Sequence, residues 1–236
     1  MLHGLRTPLG GVYGGGYTIN GDANNNTVTI SGGTVEQAKG GRILENGDAT
    51  NNTAIMSGGT VEKWLVGGQT KNGNATGNTV TISGGTMNGN EIIGGQTENG
   101  NAINNTVTIS GNPIFGPDTR IWGGNSASGG IITGNTLNWR TFGPKVAGVH
   151  DFQNLNFFLP SGIVNNAIMI SVTTYEVNLL GVNVDLSFDS TTPSLEIGNV
   201  ITLIDNVNGT MADKTVVVGA YTFKISISNE KKIRFV

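Results

Sequence analysis

The residues of this chain that can carry chemistry are its carboxylates, two histidines, a few aromatic side chains and its threonines, and their spacing decides what chemistry is on offer. Acids stand at Asp22, Glu36, Asp48, Glu62, Glu91 and Glu98 in the first half. Hydrolysis or lysis of a polysaccharide needs paired carboxylates, or an acid beside an Arg or Lys, to carry acid and base roles. The one recurring acid position, Asp22 and Asp48, becomes Asn74 and Asn101 in the next two repeats. A solvated turn residue explains that column better than a catalytic dyad. The same column speaks against calcium, because Gly/Asp-rich calcium-binding repeats keep their carboxylates at about nine-residue spacing. His3 and His150 are the only histidines and lie in unrelated segments, so neither suggests a triad or a metal site. No GxxxxGK[ST] occurs, nor a GxGxxG that opens a helix, and no cofactor or metal is expected.

Two arrays remain. Tyr13, Trp64 and Trp122 lie near recurrent Gly-Gly pairs and offer an aromatic strip for sugars or a host surface, although packing at corners is the plainer reading. Thr27/Thr29, Thr79/Thr81 and Thr106/Thr108 form TxT pairs that, stacked on a flat face, resemble the arrays of some ice-binding proteins. That array is interrupted as Thr53/Ile55 and Thr136/Asn138. Threonine is also a favoured exposed strand residue.

The elements that position these residues follow from an internal repeat. Gly-Gly pairs recur at Gly14-Gly15, Gly40-Gly41, Gly67-Gly68, Gly94-Gly95 and Gly123-Gly124, and NTVTISGG-like blocks begin at Asn26, Asn52, Asn78, Asn105 and Asn135. Within a block, Val28 and Ile30 face one way and Thr27 and Thr29 the other, the alternation of a strand. Further inward positions are expected at Val12, Ala38, Leu65, Ile92 and Ile121, and at Val35, Val61, Met87 and Ile114. Tyr13, Lys39, Val66, Ile93 and Trp122 vary in kind and are assigned to the outer face. Each repeat thus reads as three short strands. The Gly-Gly pairs read as corners, and Asn20-Gly21, Asn46-Gly47, Asn72-Gly73 and Asn99-Gly100 as turns of positive φ.

A repeat this short cannot bury its own apolar residues, so neighbours must stack. Strands stacked in register at roughly 4.8 Å give an all-β, single-stranded parallel β-helix (a solenoid) of about 26 residues per coil. Asn26, Asn52, Asn78, Asn105 and Asn135 hold one corner of every coil and predict a structural amide ladder.

Composition narrows the function classes. Thirteen Lys and Arg against sixteen Asp and Glu leave a net charge of -3, which speaks against nucleic acid and polybasic membrane attachment. The absence of Cys excludes a disulfide framework and thiolate chemistry. No apolar run approaches the roughly 18 residues that span a bilayer, so no direct membrane insertion is expected. Of 38 glycines only seven follow Trp139, where aromatics become denser. The division expected is a lead-in over 1–11, the repeat helix over 12–139, and a β-rich continuation or cap over 140–236. In the last part, Phe152, Leu155, Phe157 and Leu159 are spaced for a buried strand.

Repeats of the form VYGGGY and GDATNNTAIMSGGTV, followed by NLNFFLP, IMISV, VNVDL and LEIGNVITLID, resemble the passenger region of Gram-negative autotransporters, of the adhesin-like repeat type. The resemblance covers Val12 to about Val236. It implies a right-handed β-helix serving as a non-enzymatic, surface-displayed stalk or adhesin-like scaffold, attached to the outer membrane or secreted. Its C-terminal part is implied to seed folding during secretion. The implied partners are a C-terminal translocator barrel, absent from this sequence, and a host-surface or glycan ligand. A signal peptide and that barrel are expected to lie outside this chain. The alternative expectation is a free-standing ice-binding or glycan-binding β-helix.

Overall fold

In the computed structural model, residues 9–189, 193–228 and 233–235 are described. His3 and most of the expected lead-in lie outside them. The described residues form strands and turns with no helix, wound as a β-solenoid of about seven turns with about 27 residues per turn.

Each coil as far as Ile132–Thr133 holds four strands rather than three. In the third coil they are Ala75–Thr76, Thr79–Ile82, Thr86–Met87 and Glu91–Thr97. In the two coils before it the last three run on as bent strands, Thr27–Asn46 and Thr53–Thr70. The two-residue strand was hidden in the sequence because Ala-Thr between Asn and Gly has too few residues to show alternation.

Stacking is parallel and in register. Thr27, Thr53, Thr79, Thr106, Thr136, Asn154 and Asn183 form one column across seven coils. The inward neighbours Ile30, Met56, Ile82, Ile109, Trp139, Phe157 and Leu186 form another, all buried. Side chains grow toward the C-terminal end, where the buried Trp139 indole donates to the Met169 carbonyl at 3.1 Å.

The cross-section has two lobes. The large one holds the apolar columns just described, and a smaller one holds Ala23, Ala49 and Ile43. Successive steps along the threonine column are 26, 26, 27, 30, 18 and 29 residues, and the 18-residue step from Thr136 to Asn154 is where the small lobe stops. Its last strand is Ile132–Thr133. The large lobe runs on past Trp139 without a break, through Asn154–Leu159 to Asn183–Phe188.

Near the C-terminal end parallel stacking gives way to antiparallel pairing. Ile201–Ile204 pairs in parallel with Ile168–Val172 on one side and antiparallel with Ile233–Phe235 on the other, and Tyr221–Ile227 and Lys214–Val218 complete that sheet. A hairpin of this kind covers the exposed edge that a solenoid would otherwise leave.

One inward assignment is corrected. Ile114 is 63% exposed, and Phe115 takes the place beside Met87 and packs against the core. The turn Ser110-Gly111-Asn112-Pro113 is one residue longer than Ser83-Gly84-Gly85, and a one-residue slip moves a side chain to the opposite face.

Candidate functional site

The site is built from a constriction between the two lobes. Asn52, Asn78, Asn105 and Asn135 are completely buried there, and Asn26 is half-buried. Asn78 Oδ1 accepts from the Asn52 backbone N–H at 2.9 Å and from Asn52 Nδ2 at 3.1 Å. Asn78 Nδ2 in turn donates to Asn105 Oδ1 at 3.1 Å and to the Ala49 carbonyl at 2.8 Å. The pattern repeats from Asn26 to Asn135, where the Asn135 N–H donates to the Gln153 side chain at 2.9 Å. Each buried amide is therefore satisfied by its neighbours, which a buried polar column requires.

The Gly-Gly pairs are not corners. They lie inside extended strands, and among their second members Gly41, Gly68, Gly95 and Gly124 all have negative φ. A Cβ on Gly41 would stand 2.6 Å from the Asn52 amide, and one on Gly124 would stand 2.8 Å from Asn135 Nδ2. Glycine is needed here for close approach to the ladder. The left-handed corner is elsewhere, at Asn25, Asn51, Gly77, Asn104 and Gly134, with φ between 54° and 68°. Of the Asn-Gly turns only Gly21 and Gly47 have positive φ.

Where the chain pinches inward at the Gly pairs, its outer surface forms a longitudinal groove. The floor column is Tyr13, Lys39, Val66, Ile93, Trp122 and His150. These positions do face away from the large core, yet Lys39, Val66 and Ile93 are buried, which corrects the expectation of an open outer face. One wall is the column Gln37, Trp64, Glu91 and Arg120, and the other is Arg42, Gln69, Gln96 and Asn125. The walls stand close enough to cover the floor.

At one end of the groove, Gln37, Lys39, Arg42, Trp64, Gln69, Glu91 and Gln96 surround a hollow of about 250 Å³. Lys39 Nζ donates to Gln69 Oε1 at 2.6 Å, and Gln69 Nε2 donates on to Gln96 Oε1 at 2.8 Å. The ammonium also lies 5.5 Å from the centre of the Trp64 ring. Arg42 donates to the Tyr13 hydroxyl at 2.8 Å and packs over Tyr13 and Tyr17. Neither cation belongs to an ion pair among the described residues. Burial, aided by the neighbouring Arg42 charge, brings the Lys39 ammonium down from 10.5 to about 7. Gln37 Oε1 is buried in the same region with no partner among the described residues.

At the other end Trp122 stacks on His150 with ring centres 4.3 Å apart, and Tyr175 meets His150 edge-on at 5.7 Å. Arg120 lies over Trp122 and Tyr175 and pairs with Glu91 at 2.9 Å. Burial first and Arg120 second lower the His150 pKa. Trp122 Nε1 and His150 Nε2 are buried with no partner among the described residues. A second hollow of about 220 Å³ adjoins Arg120, lined also by Asn90, Asp118, Thr174 and Tyr175.

The structure thus separates the expected aromatic strip, with Trp64 in a wall and Tyr13 and Trp122 in the floor. Lys39, Arg42 and the glutamines were missed as site residues. The only signal available was a Lys in a column that otherwise holds apolar and aromatic residues.

Two further polar columns are hydrogen-bonded ladders. Asp22 Oδ1 accepts the Asp48 N–H at 2.9 Å, Asp48 Oδ1 accepts the Asn74 N–H at 2.7 Å, and Asn74 Oδ1 accepts the Asn101 N–H at 3.1 Å. That column is a second ladder, which explains why Asp and Asn interchange: only a side-chain acceptor is used. A third, exposed ladder joins Asn20, Asn46, Asn72 and Asn99. The threonine face stacks in register, with Ile55 and Asn138 breaking its Thr29 column. Among the described residues no three His, Asp or Glu side chains converge on a metal site, and no helix is long and apolar enough to cross a membrane. Compared with protein-family models, curated proteins and solved structures, the chain matches none.

Proposed function

We propose that this chain is a non-enzymatic, surface-displayed passenger of the autotransporter type, serving as an elongated stalk or adhesin-like scaffold. The observation that carries the reading is the unbroken register of one core through about seven coils. An assembly of this kind transmits position along its length and repeats its outer columns at each step, which suits a spacer that presents a surface. The seeding role proposed for the C-terminal part is supported by where the larger apolar side chains lie. Trp139, Phe157, Phe223 and Ile225 gather toward the end closed by antiparallel strands, so that end can hold its own core while earlier coils add to it. The translocator barrel of the family is the proposed partner for export, and the groove is the proposed surface for a host or glycan ligand.

The test is to place the chain between a signal peptide and a translocator barrel in a Gram-negative host and treat intact cells with protease. The proposal expects the chain to be reached from outside and to leave a resistant β-solenoid fragment. A chain that stays inside the cell, while a known passenger in the same vector is displayed, would overturn it.

A further inference from the structure

The Lys39 end of the groove combines features that a purely structural surface does not need. A buried ammonium costs folding free energy unless a partner compensates it, and Lys39 has one neutral oxygen, Gln69 Oε1, for that purpose. Arg42 stands beside it in the same hollow, and the one carboxylate lining that hollow, Glu91, is paired with Arg120 instead. Gln37 Oε1, in the same wall, is an acceptor with no donor among the described residues. Trp64 is 40% exposed, presenting a large apolar face at the rim.

These groups ask for one ligand chemistry. Two adjacent cations call for an anion, the orphan acceptor calls for an O–H or N–H donor, and an exposed indole offers a platform for a flat apolar ring face. A sugar ring bearing an acid group supplies all three. We propose that this part of the groove binds an acidic saccharide, its carboxylate or sulfate held by Lys39 and Arg42, its ring on Trp64, and a hydroxyl donating to Gln37 Oε1. In the same wall column Arg120, three coils from Gln37, borders the second hollow. That is about 14 Å at roughly 4.8 Å per coil, a span that an oligosaccharide lying parallel to the axis covers. A hollow of about 250 Å³ is slightly below the roughly 300 Å³ at which small-molecule sites begin, in keeping with one ring per subsite of a longer chain.

This inference deepens the adhesin-like reading by naming its ligand class and rests on that reading for the groove's purpose. Binding by the purified chain and display on cells are separate measurements, so either can fail alone. Calorimetric titration of the full chain would use tetragalacturonate, a heparin-derived tetrasaccharide, cellotetraose as the neutral sugar and hexaglutamate as the acidic non-sugar. The proposal expects one of the two acidic saccharides to bind at least about tenfold more tightly than cellotetraose and hexaglutamate. Tetragalacturonate carries carboxylates alone and the heparin fragment carries sulfates besides, so binding of only the latter assigns the anion as sulfate. Arg42→Gln and Trp64→Ala each remove side chains from partly exposed positions, and each is expected to weaken that binding at least about tenfold with the melting midpoint unchanged. Equal binding of cellotetraose or of hexaglutamate would overturn it. So would the absence of saturable binding by both acidic saccharides up to about 1 mM, or unaltered affinity in both variants.

Discussion

The Asn78 side chain occupies the space where a Cβ on Gly68 would have to stand. The two residues belong to different strands of neighbouring segments, and their sizes are complementary: one must be absent for the other to be buried. Asn78 then satisfies four hydrogen-bonding groups in a place water does not reach. The constriction also defines the groove, since the Gly pairs that admit the ladder from inside bend the outer surface inward. Ladder, glycines and groove are one construction.

Gly68→Ala is therefore expected to destabilise the fold by roughly 1–3 kcal/mol, the usual cost of forcing extra atoms into a packed site. Gly32→Ala provides the control, because a Cβ there meets nothing within 4 Å and φ is negative. Urea midpoints that move equally for the two variants would show that Gly68 is not held by close approach.

Removal of a buried rung should cost more than removal of an exposed one. Asn78→Ala strands the Asn52 N–H, Asn52 Nδ2 and the Ala49 carbonyl, for which roughly 1–3 kcal/mol is expected. Asn72→Ala opens the exposed ladder, where water replaces the lost partners, and should stay within about 0.5 kcal/mol. Paired chemical denaturation of the two variants measures the difference.

Lys39 makes a pH prediction whose sign follows from its lowered pKa. Below about 7 both folded and unfolded chains hold the proton, and the full penalty of a buried charge is present. Between about 7 and 10.5 the unfolded chain binds more protons than the folded one, so stability gains with rising pH. Lys39→Met removes the penalty at every pH. The variant should thus exceed the wild type in stability most at pH 6, with the gap narrowing steadily toward pH 10. A pH-independent gap would mean that Lys39 keeps an ordinary pKa.

Deletion of residues 149–236 removes the strand Asn154–Leu159 that covers Thr136–Trp139, and with it the Gln153 amide that receives the Asn135 N–H. Leu137 and Trp139 would then face water. The shortened chain is expected to refold slowly and to lose protease resistance across the repeats. Unchanged resistance would remove the seeding role from the C-terminal part.

Much of this organisation was legible in the sequence, for a specific reason. An in-register solenoid places equivalent residues on top of one another, so Asn26, Asn52, Asn78, Asn105 and Asn135 reveal a column without any knowledge of the cross-section. The shape of that cross-section was not legible. A Gly pair at a corner and a Gly pair at a close approach look alike in sequence, and the difference lies in what stands opposite, which no local pattern encodes. The groove was hidden for the same reason: Lys39, Val66 and Ile93 lie on the outer side, as their variety suggested, but the walls that cover them come from residues two or three positions away on a bent strand. At Ile114 a single inserted residue reversed the alternation.

A continuous ladder makes the coils behave as one rod. Hydrogen–deuterium exchange on the intact chain tests this directly, read at the Asn52, Asn78 and Asn105 amides and across Thr79–Ile82, Thr106–Ile109 and Thr136–Trp139. A continuous ladder predicts that all of these exchange slowly and together, through a single cooperative opening. Coils that exchange at unrelated rates, or ladder amides that exchange as fast as an unstructured peptide, would contradict it.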